Sequence, residues 1–175
     1  TAKAGPVMAY LERCLEIDWP ELKVRVSSVS ERWGGMAVAG PDARATLIAA
    51  FPSVDFSNEA FPFMGVVHAE HNGAKLILLR ISFSGEMAFE VYAEAEHATD
   101  IWQTIIDAGQ VHDIVPYGLE TLGALRIEKG HVTGAELDGR VTLGDVHMDG
   151  MASKKKWFVG KNLKDREGLV HPDRP

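Results

Sequence analysis

The sequence predicts an α+β fold: an antiparallel or mixed sheet with helices packed on one side, followed by a glycine-rich irregular segment. Three observations carry this. Short apolar runs of period two cluster in the middle of the chain, as half-buried strands do. Amphipathic stripes of helical spacing stand beside runs of adjacent strands instead of alternating with every strand, which separates α+β from α/β. Gly134, Gly139, Gly144 and Gly150 then punctuate the chain at intervals too short for long elements.

The elements follow in order. Pro6 suits the first turn of a helix, and Val7, Tyr10, Leu11, Cys14 and Leu15 recur on one stripe until Trp19-Pro20 ends it. Leu22 to Val26 alternates as a strand, and Met36 to Ala39, entered through Trp33-Gly34-Gly35, is a second. Gly40-Pro41-Asp42 opens a helix carrying Leu47, Ile48 and Phe51, and Pro52 to Phe61 is a loop. Pro62-Phe63-Met64-Gly65 leads into a strand through about His68, and Asn72-Gly73 is a strong hairpin signal joining it to Lys75–Phe83. Ser84-Gly85 joins that run to the next strand, in which Met87, Phe89 and Val91 share one parity and Ala88, Glu90 and Tyr92 the other. Ala98, Ile101, Trp102 and Ile105 mark a helix ending near Gly109. Leu119 to Lys129 is a last helix, stopped by Gly130. Residues 1–112 are expected to form the α+β core, 113–165 a return segment and 166–175 a polar linker.

Composition bounds the function. The chain has 175 residues, enough to bury a real core. Its net charge of -7 argues against nucleic acid as the main partner. No apolar run reaches the ~20 residues that span a bilayer, and no signal-peptide layout opens the sequence. A single cysteine, Cys14, fits a reducing, cytoplasmic setting and falls on a helix stripe, so it reads as core. His68 and His71 have metal-ligand spacing, but on a strand they point to different faces. No metal is expected. The Lys154–Lys156 run is a solvated face or an electrostatic contact.

Glu90 stands out as an acid inside an apolar, aromatic strand. It is either part of a solvated face or a rigid acceptor for two parallel N–H donors of a flat heterocycle, as carboxylates accept from arginine. Ser82-Phe83-Ser84-Gly85-Glu86-Met87-Ala88-Phe89-Glu90 resembles the Gly-Tyr-Thr-Gly-Glu-x-Gly-x-Glu signature of folate-binding aminomethyltransferases, the glycine-cleavage T-proteins. The resemblance implies that Glu90 grips the pterin ring and that Phe83, in place of the family's Tyr, lies by it through its ring face alone. It also implies a T-protein-like fold with a ferredoxin-like central part. Thr121 to Gly130 resembles a T-protein helix with Arg126 and Glu128 in place, while Leu122 stands where the family carries a folate-contacting Arg. Arg126 is then a folate contact or a structural ion pair and backbone anchor. Glu136-Leu137-Asp138 resembles the family's acidic turn, and Phe158-Val159-Gly160-Lys161 its Phe-Ile-Gly-Lys.

A closer, collinear resemblance is to the large (alpha) subunits of heterotetrameric sarcosine oxidases. It runs through Ala4 to Glu12, Trp19 to Val29, Ser57-Asn58-Glu59-Ala60-Phe61-Pro62-Phe63-Met64-Gly65, Arg80 to Glu86 and Leu125 to His131. Those subunits are far longer, which implies a fragment of their C-terminal folate-binding region that lacks the family's upstream catalytic Asp. No catalytic residue is assigned on this chain. The resemblance implies tetrahydrofolate as the ligand here, with Glu90 orienting the pterin, Phe83 packing near it and Phe63 and Met64 walling the pocket. FAD, FMN and NAD would belong to the parent complex, with its beta, gamma and delta subunits. The function implied is one-carbon transfer from oxidised sarcosine to tetrahydrofolate. The alternatives are an aminomethyltransferase, a dimethylglycine or N-methyl amino acid oxidoreductase relative, and a non-catalytic folate-binding or assembly module.

Overall fold

The computed structural model describes residues 3–137 and 141–162. Asp138 of the expected acidic turn and the expected linker 166–175 lie outside the described residues. The chain forms two compact units, one of Thr1–Ser82 with Glu86–Val115, the other of Phe83–Gly85 with Pro116–Pro175.

The first unit is α+β. Helix α1 (Ala4–Arg13) runs on through a π-helical turn, Cys14–Asp18, and stops before Trp19-Pro20. Strand β1 (Trp33–Ala39), helix α2 (Ala43–Ala50), strands β2 (Val66–His71), β3 (Ala74–Leu79) and β4 (Ala88–Glu94), and helix α3 (Ala98–Gly109) follow. The four strands form one antiparallel sheet in the order β1-β4-β3-β2. Asn72 and Gly73, at φ 50° and 85°, make the hairpin between β2 and β3, as their sequence predicts. No helix among the described residues is long and apolar enough to cross a membrane.

The alternation of β4 sorts its side chains onto two faces. Phe89, Val91 and Ala93 are buried with Leu76, Leu78 and Val38 beneath Leu47 of α2 and Ile101 and Ile105 of α3. Phe56, Phe61 and Phe89 meet at ring-centroid distances of 5.6–5.9 Å, with Phe56 edge-on to Phe89. Arg44 and Arg80 tie the loop above them, both donating to Asn58 Oδ1 at 2.9 Å, with Arg80 also reaching the Phe61 carbonyl at 2.9 Å. Gly34 lets α3 press close to β1, since a Cβ there would stand 2.5 Å from that of Ala98.

Three expectations differ from the structure. Leu22 to Val26 alternates but is not a strand, because none of the described residues pairs with it, and Leu22 and Val24 stay exposed. A strand exists only as part of a ladder, and local pattern does not supply the partner. Ser84-Gly85 is not a tight turn between abutting strands; β3 ends at Leu79 and β4 begins at Ala88. Of the α1 stripe, Cys14 is buried as expected, whereas Val7, Tyr10 and Leu11 are exposed.

The second unit holds helix α4 (Leu119–Lys129), closed by Gly130 at φ 79° as expected. Among the described residues after it there are turns, bends and one 3₁₀ turn, Asp149–Met151. Two Thr-x-x-acid turns fix that backbone. Glu136 Oε2 accepts from the Thr133 amide and hydroxyl at 2.7 and 2.9 Å, and Asp145 Oδ2 from those of Thr142 at 2.6 and 3.0 Å.

Candidate functional site

One face of the sheet is occupied by the core; the other carries the candidate site. Strand register sets its rows. Glu90 of β4 sits between Ala37 of β1 and Leu79 of β3, with Val66 of β2 beyond. The next row is Gly35, Tyr92, Ile77 and His68. Glu90 is therefore a half-buried carboxylate whose register neighbours, Ala37, Leu79 and Val66, are apolar. Among the described residues no Lys, Arg or His pairs with it.

Its partner is Tyr92, two residues on and so on the same face. The phenol donates to Glu90 Oε2 at 2.5 Å, the length of a charge-assisted O–H···O bond. That bond, with lesser contributions from burial and the Glu90 charge, pushes the Tyr92 pKa up to about 12. Gly35 lies opposite the ring, where a Cβ would stand 2.8 Å from Tyr92 Cε1. A carboxylate offers about four lone-pair sites. Tyr92 uses one, leaving room on both oxygens for two further N–H donors.

Phe63 and Met64, also in this unit, are exposed at the entry to β2. Met64 has φ 66°, and its amide donates to the Arg80 carbonyl at 2.9 Å. The cleft of about 220 Å³ between the β2–β3 hairpin and α3, lined by His71, His97 and Asp100 among others, includes none of the sequence-predicted site residues. His71 meets Phe51 edge-on at 5.2 Å while His68 is exposed, so the two histidines do face apart. Glu94, Glu96 and His97 bring three potential metal-ligand atoms within 4.8 Å, but Glu94 already pairs with Lys75 and Glu96 is exposed.

Phe83 and Arg126 belong to the second unit, where His131 joins them. His131 Nδ1 lies 2.8 Å from the Phe83 carbonyl, which only an N–H can satisfy, and its ring centroid is 5.6 Å from that of Phe83. Arg126 donates to the His131 carbonyl at 3.1 Å and pairs with Glu136 at 2.9 Å. The Arg126 hydrogen bond, followed by those of Thr133, pulls the Glu136 carboxyl down to about 2. Arg126 thus has the ion pair and backbone anchor that the sequence offered as one of its two readings.

Sequence reasoning missed Tyr92 and His131 as members of these constellations. The shared parity of Glu90 and Tyr92 was the available signal for the first. The second had none, since His131 and Phe83 are 48 residues apart.

Residues 1–156 match the family described as GCVT N-terminal domain. The whole chain is 44% identical to the sarcosine oxidase subunit alpha of Rhizobium meliloti (strain 1021), of which it covers 18%. It is 34% identical to the aminomethyltransferase of Staphylococcus haemolyticus (strain JCSC1435) over 85% of this chain and 40% of that protein. Against the mitochondrial dimethylglycine dehydrogenase of Mus musculus the identity is 32% over 66% of this chain and 13% of that protein. The chain thus spans under a fifth of the length of the sarcosine oxidase subunit it matches. A four-stranded antiparallel sheet with helices on one face, and a family match over residues 1–156, place this chain in the GCVT N-terminal domain family.

Proposed function

We propose that this chain is the tetrahydrofolate-binding region of a sarcosine oxidase large subunit, where the one-carbon unit released by oxidative demethylation of sarcosine joins the folate. The carrying observation is Glu90, a half-buried carboxylate without a cationic partner among the described residues, presented from a sheet face. A pterin edge offers two parallel N–H donors, and a fixed carboxylate is their natural acceptor. Phe63 and Met64, of the same unit as Glu90, wall the pocket in this reading. Arg126 is scaffold, because Glu136 and the His131 carbonyl already hold its guanidinium. Holding the one-carbon unit beside the folate nitrogens replaces a bimolecular encounter and limits loss to water. FAD, FMN and NAD, and the oxidation itself, belong to other parts of a cytoplasmic complex with beta, gamma and delta subunits. The similarity to sarcosine oxidase subunit alpha over the whole chain favours this over a dimethylglycine or aminomethyltransferase role.

The test is tetrahydrofolate titration of the whole polypeptide and of its Glu90→Gln variant. Hydrogen bonds to a charged group contribute about 1.5–3 kcal/mol each, so the variant should bind roughly tenfold to a hundredfold more weakly. Equal affinity would sink the reading.

A further inference from the structure

We propose that Tyr92 is the positioning residue for Glu90, holding one carboxylate oxygen so that the plane of the group is fixed before the ligand arrives. This rests on the folate reading of Glu90. Four observations on the open sheet face converge on it. The phenol–carboxylate contact is 2.5 Å long. Both residues belong to the same strand and face, so the bond runs along β4 and approaches the carboxylate from one side. Gly35, the register partner of Tyr92, has no Cβ to displace the ring. No cation competes for Glu90 among the described residues.

A free glutamate side chain turns about three bonds, and an acceptor that must meet two N–H donors at once loses that freedom on binding. A phenol removes the freedom in advance and leaves the negative charge in place. A lysine or arginine would hold the group equally well but would neutralise it and occupy the lone pairs the ligand needs. The raised Tyr92 pKa keeps the phenol a donor throughout the neutral range.

The experiment compares tetrahydrofolate with its 2-desamino analogue, which lacks one of the two donors, on the whole polypeptide. Wild type should prefer tetrahydrofolate strongly. Tyr92→Phe should bind tetrahydrofolate roughly threefold to tenfold more weakly, the cost of ordering one freed side chain on binding, and should discriminate less between the two ligands, because a loose carboxylate re-aims to serve one donor. Gly35→Ala, which crowds the ring but keeps the hydroxyl, should act in the same direction and add little to Tyr92→Phe. A purely structural tyrosine would lower stability and leave the ligand preference unchanged. If Glu90→Gln weakens binding while both Tyr92→Phe and Gly35→Ala keep the wild-type preference, the positioning role is overturned and the folate reading stands. If Glu90→Gln binds like wild type, both fall.

Discussion

Glu90 and Glu136 are both partly exposed carboxylates hydrogen-bonded by neighbours, yet they serve opposite ends. Glu136 is saturated: Arg126 and two groups of Thr133 hold it, and its carboxyl falls from 4.5 to about 2. Glu90 has one neutral donor and spare lone pairs. The first arrangement stabilises a turn and the second leaves a group ready for a ligand. The Glu136 case has a pH signature. The folded chain binds that proton more weakly than the unfolded chain, so the stabilisation is full above pH 4.5 and is lost as pH falls toward about 2. Urea midpoints of wild type and Glu136→Gln should therefore differ at neutral pH and converge across that acidic window. A constant gap would show that the pair does not stabilise the fold.

Among the elements, glycine separates close approach from idle flexibility. Gly34 lies where α3 meets β1, and a methyl there would stand 2.5 Å from the Ala98 Cβ. Gly34→Ala should lower stability by about 1–3 kcal/mol, the usual cost of overpacking. Gly123 sits inside α4 with nothing within 4 Å of an added Cβ. Gly123→Ala should raise stability by about 0.5–1 kcal/mol, because the unfolded chain loses freedom. Thermal melts of the two variants should move in opposite directions, and a shift of the same sign in both would refute the assignment. The elements themselves were unevenly legible. Asn72-Gly73, the α4 stop at Gly130 and the alternation of β4 announced themselves. The run at Leu22 to Val26 has the same alternation and stays irregular, since pairing is a property of two segments and a window contains one. In β3 both parities are apolar, so its pattern alone did not say that Leu76 and Leu78 face the core while Ile77 and Leu79 share the face of Glu90.

In the molecule as a whole, the core occupies one face of the sheet, and the proposed folate contact, Glu90, lies on the other. Phe89 is fully buried, 5.6 Å from both Phe56 and Phe61, and adjoins Glu90 in sequence. Phe89→Ala should cost about 3–5 kcal/mol, as large-to-small changes in aromatic cores do. Glu90→Gln should leave the melting temperature nearly unchanged while weakening folate binding. If Phe89→Ala spared stability, or Glu90→Gln cost as much as it, the division between faces would be wrong.

By itself the sequence determined the fold class, most element positions and the resemblance that the family match bears out, and it singled out Glu90 as a candidate. These depend on local period, turn chemistry and motif, all written within a few residues of one another. Only the tertiary structure decided that Tyr92 holds Glu90, that Gly35 makes room for its ring, that Arg126 is tied to Glu136, and that the alternating run before β1 pairs with no strand among the described residues. Each of those is a relation between side chains or strands, fixed by register and packing, and no single stretch of chain contains both halves of it.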